Sequence, residues 1–198
     1  KKKAKSYFAK PITNDEMLAI DRAELIVMCS FVEVLTRTTG ILSSEAKHIA
    51  LNLMDNVLST HNTTGSMTSG TILTLIADVV SNIVAAKFED EKVANAILHT
   101  TNTIVSTLLN QQLISEAQTN IVSDNVQISV QVAQSSKISN SNVQTESPTS
   151  ALSSTVSIPA TFASDIEVAG SEIISYTAVT FSENPFQYLN TEQEPSVP

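Results

Sequence analysis

A change of hydrophobic period constrains this chain more than any other feature. As far as Leu113, apolar residues recur every three or four positions; from Val126 to Val132 they alternate with polar residues without exception. The first spacing lines up one face of a helix and the second lines up one face of a strand, so a single regular element cannot serve both. The expected fold is therefore α+β. Residues 1–120 form a helical subdomain of about four helices, and residues 121–198 form part of an antiparallel β-sandwich.

The helical half divides at its polar connections. Between Asn14 and Arg37, Leu18, Leu25, Met28, Val32 and Leu35 form one stripe with Ile20, Val27 and Val34 beside it, a width that predicts burial on more than one side. Gly40 then stops the helix, and Ser43-Ser44-Glu45 offers the next one a hydroxyl cap and an acid near its positive end. That second helix presents Ala46, Ile49, Ala50, Leu53, Met54, Val57 and Leu58 on a single face. His61 to Gly65 breaks the pattern. Ile72 to Val84 and Val93 to Leu113 supply the third and fourth helices, a set that implies a small bundle or layer.

In the second half, Val126–Val132 reads as a half-buried strand, Thr155–Ile158 as a short strand ended by Pro159, and Ile173–Phe181 as a third. The third places Ile174, Tyr176 and Ala178 on one face, then shifts phase to Val179 and Phe181, which predicts a bulge. Residues 135–154 are dominated by Ser, Asn, Thr and Gln and read as a long exposed loop. Three strands leave open faces and edges, so either the helices cover the sheet or further strands are needed.

Composition removes several functions. With 11 Lys+Arg against 20 Asp+Glu, the net charge is -9, which provides no footprint for nucleic acid phosphates. Only four glycines are present and no phosphate-cradling motif occurs, which disfavours a nucleotide enzyme. The single cysteine, Cys29, excludes an internal disulfide. The apolar tract Leu25–Leu35 contains Glu33 and falls short of the roughly 20 residues that cross a bilayer. The basic run at Lys1–Lys5 reads as solvated charge.

Chemistry-bearing residues are few. Cys29, with Met28 and Phe31 around it, reads as a small buried hydrophobe rather than a reactive thiol. His48, His61 and His99 have no carboxylate or cysteine at i+3 or i+4, so no metal or cofactor is expected. No G-x-S-x-G turn marks a nucleophile, and the chain is not expected to be an enzyme. Glu89-Asp90-Glu91 and the acids between Asp15 and Glu24 fall in first helical turns, where they offset the dipole. Asn62-Thr63-Thr64 is the single N-x-S/T acceptor, read in a polar inter-helix loop.

Val156-Ser157-Ile158-Pro159-Ala160-Thr161-Phe162, then an apolar strand, then Asn184-Pro185-Phe186, resembles the S-I-P-x-x-F … strand … N-P-F order of the polycystin-1 family. The matching residues are Ser157, Ile158, Pro159, Phe162, Asn184, Pro185 and Phe186. Helices followed by Ser/Asn-punctuated strands also resemble the GAIN domain, here the region between the receptor-for-egg-jelly segment and the first membrane helix. The resemblance implies an extracellular, membrane-proximal module at a plasma or ciliary membrane, acting in adhesion, force transmission or assembly. It implies a glycan on Asn62, packing against a downstream segment of the same chain, and a polycystin-2-like channel or another extracellular protein as partner. The family's His-Leu-Ser/Thr cleavage tripeptide has no counterpart: Trp is absent, and His99 is followed by Thr100-Thr101. The residues alone equally allow an intracellular helical adaptor or scaffold with a disordered polar tail.

Overall fold

The computed structural model of the chain describes residues 22–38, 42–63, 70–86, 88–114, 116–134, 142–145, 154–157 and 173–188. Among the described residues, four helices precede the strands: α1 (Arg22–Arg37), α2 (Ser44–Thr63), α3 (Gly70–Ala85) and α4 (Glu91–Gln111). Five strands follow: β1 (Thr119–Val122), β2 (Val126–Gln134), β3 (Asn142–Thr145), β4 (Ser154–Ser157) and β5 (Ile173–Phe181), then a 3-10 turn at Pro185–Tyr188. The fold is α+β.

A polar cap starts α2 where the sequence places it, at Ser43, while Asp90, read as a first-turn acid, is instead the N-cap of α4. The Ser43 hydroxyl accepts from the Ala46 amide at 3.2 Å, and the Asp90 carboxylate accepts from the Lys92 amide at 2.9 Å, each satisfying a donor that the first helical turn leaves without a partner. α2 runs to Thr63, so Asn62 lies in its last turn rather than in a loop, and His61 shares that helix with His48. The wide stripe expected on α1 narrows to one buried line, Leu25, Cys29, Val32 and Thr36, at spacings of four, three and four. Val27 and Val34 are 69% and 57% exposed. The correction is physical: neighbours cover a helix on the side they touch, and α1 lies chiefly against α3.

α2 packs chiefly on α4. The Thr100 hydroxyl reaches the Leu51 carbonyl and the Thr103 hydroxyl reaches Asp55, so contacts advance together along both helices, which run in the same direction. The fully buried Leu51, Met54, Leu58, Ile72, Ile76, Ile83, Ile97 and Ile104 fill the space between helices. Truncating any one to alanine removes transfer energy and leaves a cavity, about 2–5 kcal/mol in sites of this kind.

The main sheet has the order β1-β2-β5, both pairs antiparallel. Val126, Ile128 and Val130 of β2 and Ile121 of β1 join the same apolar cluster as the helices, with Val179 and Phe181 of β5 packed against it. The core therefore runs without interruption across residue 120, and the helices cover one face of the sheet. β2 and β5 stay in register from Val126↔Phe181 to Gln134↔Ile173, so the bulge expected in β5 is not there. The shift of phase arises because β5 presents apolar residues on both faces: Val179 and Phe181 toward the helices, Ile174, Tyr176 and Ala178 away from them.

The opposite face of β2 is not the exposed one that its alternation suggested. Gln127 and Ser129 are 5% and 0% exposed, and β3 lies against both β2 and β5. β3 itself corrects the long loop read over 135–154. Asn142–Thr145 pairs antiparallel with Ser154–Ser157, Val143 opposite Val156, so the polar segment gains backbone partners that it could not supply alone. β1, pairing Thr119–Val122 with Gln127–Val130, is the second strand absent from the sequence reading.

Candidate functional site

A polar concavity lies where α1, α3 and the β1–β2 turn meet. It encloses about 440 Å³ and is lined by Glu33, Arg37, Asp78, Ser81, Asn82, Val122, Ser123 and Asp124. α3 builds it. In a helix that is otherwise apolar after Thr74, Asp78, Ser81 and Asn82 fall at spacings of three and four overall, which places them on one face.

Each of these three side chains crosses to another element. The Ser123 hydroxyl donates to Asp78 Oδ1 at 2.7 Å. The Asn125 amide donates to Ser81 Oγ at 2.8 Å, with Asn125 Nδ2 at 3.3 Å from the same oxygen. Asn82 Nδ2 donates toward the Thr36 hydroxyl at 3.2 Å, the Glu33 carbonyl at 3.3 Å and Glu33 Oε1 at 3.4 Å. Glu33 is itself 5% exposed and accepts from Arg37 Nε one turn later. Beyond the turn, the Ser182 amide donates to the Asn125 carbonyl and its hydroxyl to Asn125 Oδ1, both at 3.0 Å. The network thus runs from α1 through α3 and the turn to the end of β5.

Its electrostatics are lopsided. Glu33, Asp78 and Asp124 face a single guanidinium, Arg37. Burial raises the Asp78 carboxyl above the usual carboxylate range, and Glu33 and Asp124 push it further; the Ser123 hydrogen bond and Arg37 pull the other way. Ser123 meets a carboxylate directly, with no imidazole between them to take its proton, which is not the arrangement of an activated nucleophile. Among the described residues, no group of three or more His, Cys, Asp and Glu comes together in a way that could hold a metal ion, and no helix is long and apolar enough to cross a membrane.

The residues singled out from the sequence are scattered. Cys29 is fully buried, and desolvation pushes its thiol up to about 12. Asn62 has its backbone in the last turn of α2. Ser157 ends β4, exposed, while Ile158, Pro159 and Phe162 lie outside the described residues. Asn184, Pro185 and Phe186 form a structured turn. Asn184 Oδ1 accepts from the Phe186 amide at 3.0 Å, Pro185 is buried, Phe186 is 54% exposed, and the 3-10 turn lies against α4. The structure therefore places Ser157 on the two-stranded sheet and Asn184–Phe186 after the three-stranded one, and among the described residues no motif residue lines the polar concavity. His99 pairs across helices with Asp55, Nε2 to Oδ2 at 3.2 Å. Reading each histidine along its own helix missed that pair. The signal that would have found the concavity was equally visible: polar residues at helical spacing inside the apolar α3, and Glu33 inside the apolar α1.

A scan against protein-family models finds no match to this chain, and a search of curated proteins finds none.

Proposed function

We propose that this chain is a non-enzymatic interaction module in which a helical layer is fixed to a β-sheet, and that it serves adhesion, force transmission or assembly. One observation carries this reading. The concavity's polar atoms are spent on cross-links between elements: Asp78 on Ser123, Ser81 on Asn125, Asn82 on Glu33 and Thr36. Such groups hold surfaces together rather than wait for a substrate.

The finer reading rests on the resemblance. Helices ahead of strands, a β4 that ends at Ser157, and an Asn184-Pro185-Phe186 turn seated on α4 fit a GAIN-like, membrane-proximal module of a polycystin-1-like receptor or channel subunit. In that setting the module lies on the extracellular face of a plasma or ciliary membrane, and its partners are chain downstream of it and a polycystin-2-like channel or another extracellular protein. β2 and β5 packed against the helical core favour this over a helical adaptor with a disordered tail.

The test is secretion through a glycosylating host behind an added signal peptide. The expected result is folded, secreted protein carrying a glycan on Asn62, seen by peptide mass spectrometry. Folded protein with Asn62 unmodified at full occupancy would count against the extracellular setting.

A further inference from the structure

We propose that Ser182 and Asn125 form a latch that holds the C-terminal end of β5 to the helical layer, and that the latch must open before load can part β5 from β2. The proposal rests on the force-transmission reading above. After Phe181 the chain passes through Ser182 into the 3-10 turn, where Pro185 is buried and the turn lies against α4. Load entering beyond that turn therefore reaches the β2–β5 pair at one end, where Val126 stands opposite Phe181. The ladder bonds of an antiparallel pair run across the strands, so a pull at one end breaks them in turn rather than together. The contact beside Phe181 decides when that sequence starts.

That contact is doubled and anchored. The Ser182 amide donates to the Asn125 carbonyl and the Ser182 hydroxyl to Asn125 Oδ1, both at 3.0 Å. Asn125 does not swing freely with the strand it precedes: its amide donates to Ser81 Oγ at 2.8 Å, and two residues earlier the Ser123 hydroxyl donates to Asp78 Oδ1 at 2.7 Å. The Ser123 amide closes the same turn on the Val126 carbonyl at 2.9 Å. The β1–β2 turn is thus fixed to α3 at two points, and a load on Ser182 passes to a helix of the core before it reaches the first ladder bond of β5. The two halves of the latch differ in exposure. Ser182 is exposed, whereas Ser81 is buried. Local opening starts at hydrogen bonds that water can replace, so the outer pair parts first and the inner anchor holds the turn in place for reclosing.

Constant-load optical tweezers on the full chain test the proposal. Handles attach through Ser59→Cys on α2 and Gln187→Cys in the 3-10 turn; both sites are exposed and Cys29 is fully buried, so the introduced thiols react alone. The readout is the rate of the first opening at fixed load. Ser182→Ala removes the outer hydroxyl bond and should raise that rate about two- to tenfold. Ser175→Ala, at the far end of the same pair opposite Val132, should leave it unchanged. Ser81→Ala should raise it as well, because Ser81 anchors the same path. The double variant Ser81→Ala/Ser182→Ala should then gain less than the product of the two single effects, a coupling that two independent stabilising contacts would not show. An unchanged rate in Ser182→Ala, equal effects of Ser182→Ala and Ser175→Ala, or a double variant at the full product overturns the latch. Secretion and the glycan on Asn62 do not depend on any of these rates, so failure here is distinguishable from failure of the extracellular reading.

Discussion

Two buried serines should respond in opposite directions to the same substitution. Ser81 is 2% exposed and Ser129 is 0% exposed, and each changes to alanine with the loss of one oxygen and little volume. Ser81 Oγ accepts from the Asn125 amide at 2.8 Å. Removing it leaves a part-buried backbone donor without a partner, which costs about 1–3 kcal/mol; the 3.3 Å contact from Asn125 Nδ2 adds little, since that amide group is only half buried. A central figure of about 2 kcal/mol lowers Tm by roughly 4–8 °C in a chain of this size. Among the described residues, Ser129 Oγ has no hydrogen-bond partner. Its removal relieves a desolvated hydroxyl, so Ser129→Ala should be neutral or stabilising by up to about 1 kcal/mol. Urea unfolding followed at 222 nm gives both values, with Ser106→Ala, an exposed helical site, as the reference near zero. If Ser81→Ala and Ser129→Ala agree within about 0.5 kcal/mol, the asymmetry between a used and an unused buried hydroxyl is wrong for this fold.

Asp78→Asn keeps an acceptor for Ser123 and removes a charge that burial, Glu33 and Asp124 disfavour. The folded pKa lies above the unfolded value, so the parent loses stability as pH rises through that window; the variant should be the more stable at neutral pH, and the gap should close as pH falls below 3.8 in parallel denaturant titrations. For Cys29 the native thiol holds its proton to about 12 while the unfolded one releases it near 9.0, so folding should weaken up to about tenfold per pH unit between them. Cys29→Ala should lack that extra alkaline slope, and a thiol reagent should modify the parent only once it unfolds. Val80→Asp and Leu53→Asp bury a charge at sites 0% and 8% exposed and should abolish the cooperative helical melt; native-like melting in both would mean that these faces are not core.

Local patterns carried much of the fold. Ser43 announces a helix start because a cap is a short-range hydrogen bond, and β2 announces itself because its apolar residues recur at fixed phase. Cys29 reads as inert from its apolar neighbours alone. What could not be read depends on partners distant in sequence. β1 is four residues with one buried side chain, Ile121, too short to show a period. Val27 and Val34 look like core until the packing of α1 decides which side is covered. Asn82 and Glu33 meet across 49 positions, and Ser81 and Asn125 across 44. No periodicity encodes a pair at such range; the trace it leaves is a polar residue where the pattern asks for an apolar one.

That trace also explains why the concavity belongs to α3. Ile72, Leu73, Ile76, Ala77, Val79, Val80, Ile83 and Val84 bury most of the helix's circumference, so any polar side chain on it must find a partner or incur the full desolvation cost. Asp78, Ser81 and Asn82 find theirs on different elements: the β1–β2 turn for the first two and α1 for the third. Sliding the turn along α3 by one residue would unpair Asp78 and Ser81 together, about 1–3 kcal/mol for each lost bond, whereas apolar contacts alone would tolerate the slip. The polar groups therefore fix the register between helices and sheet while the apolar core supplies the attraction. Because Asn125 also accepts from Ser182, directly after β5, a pull or a bound partner at that end of the sheet reaches α3 through two short hydrogen-bonded steps.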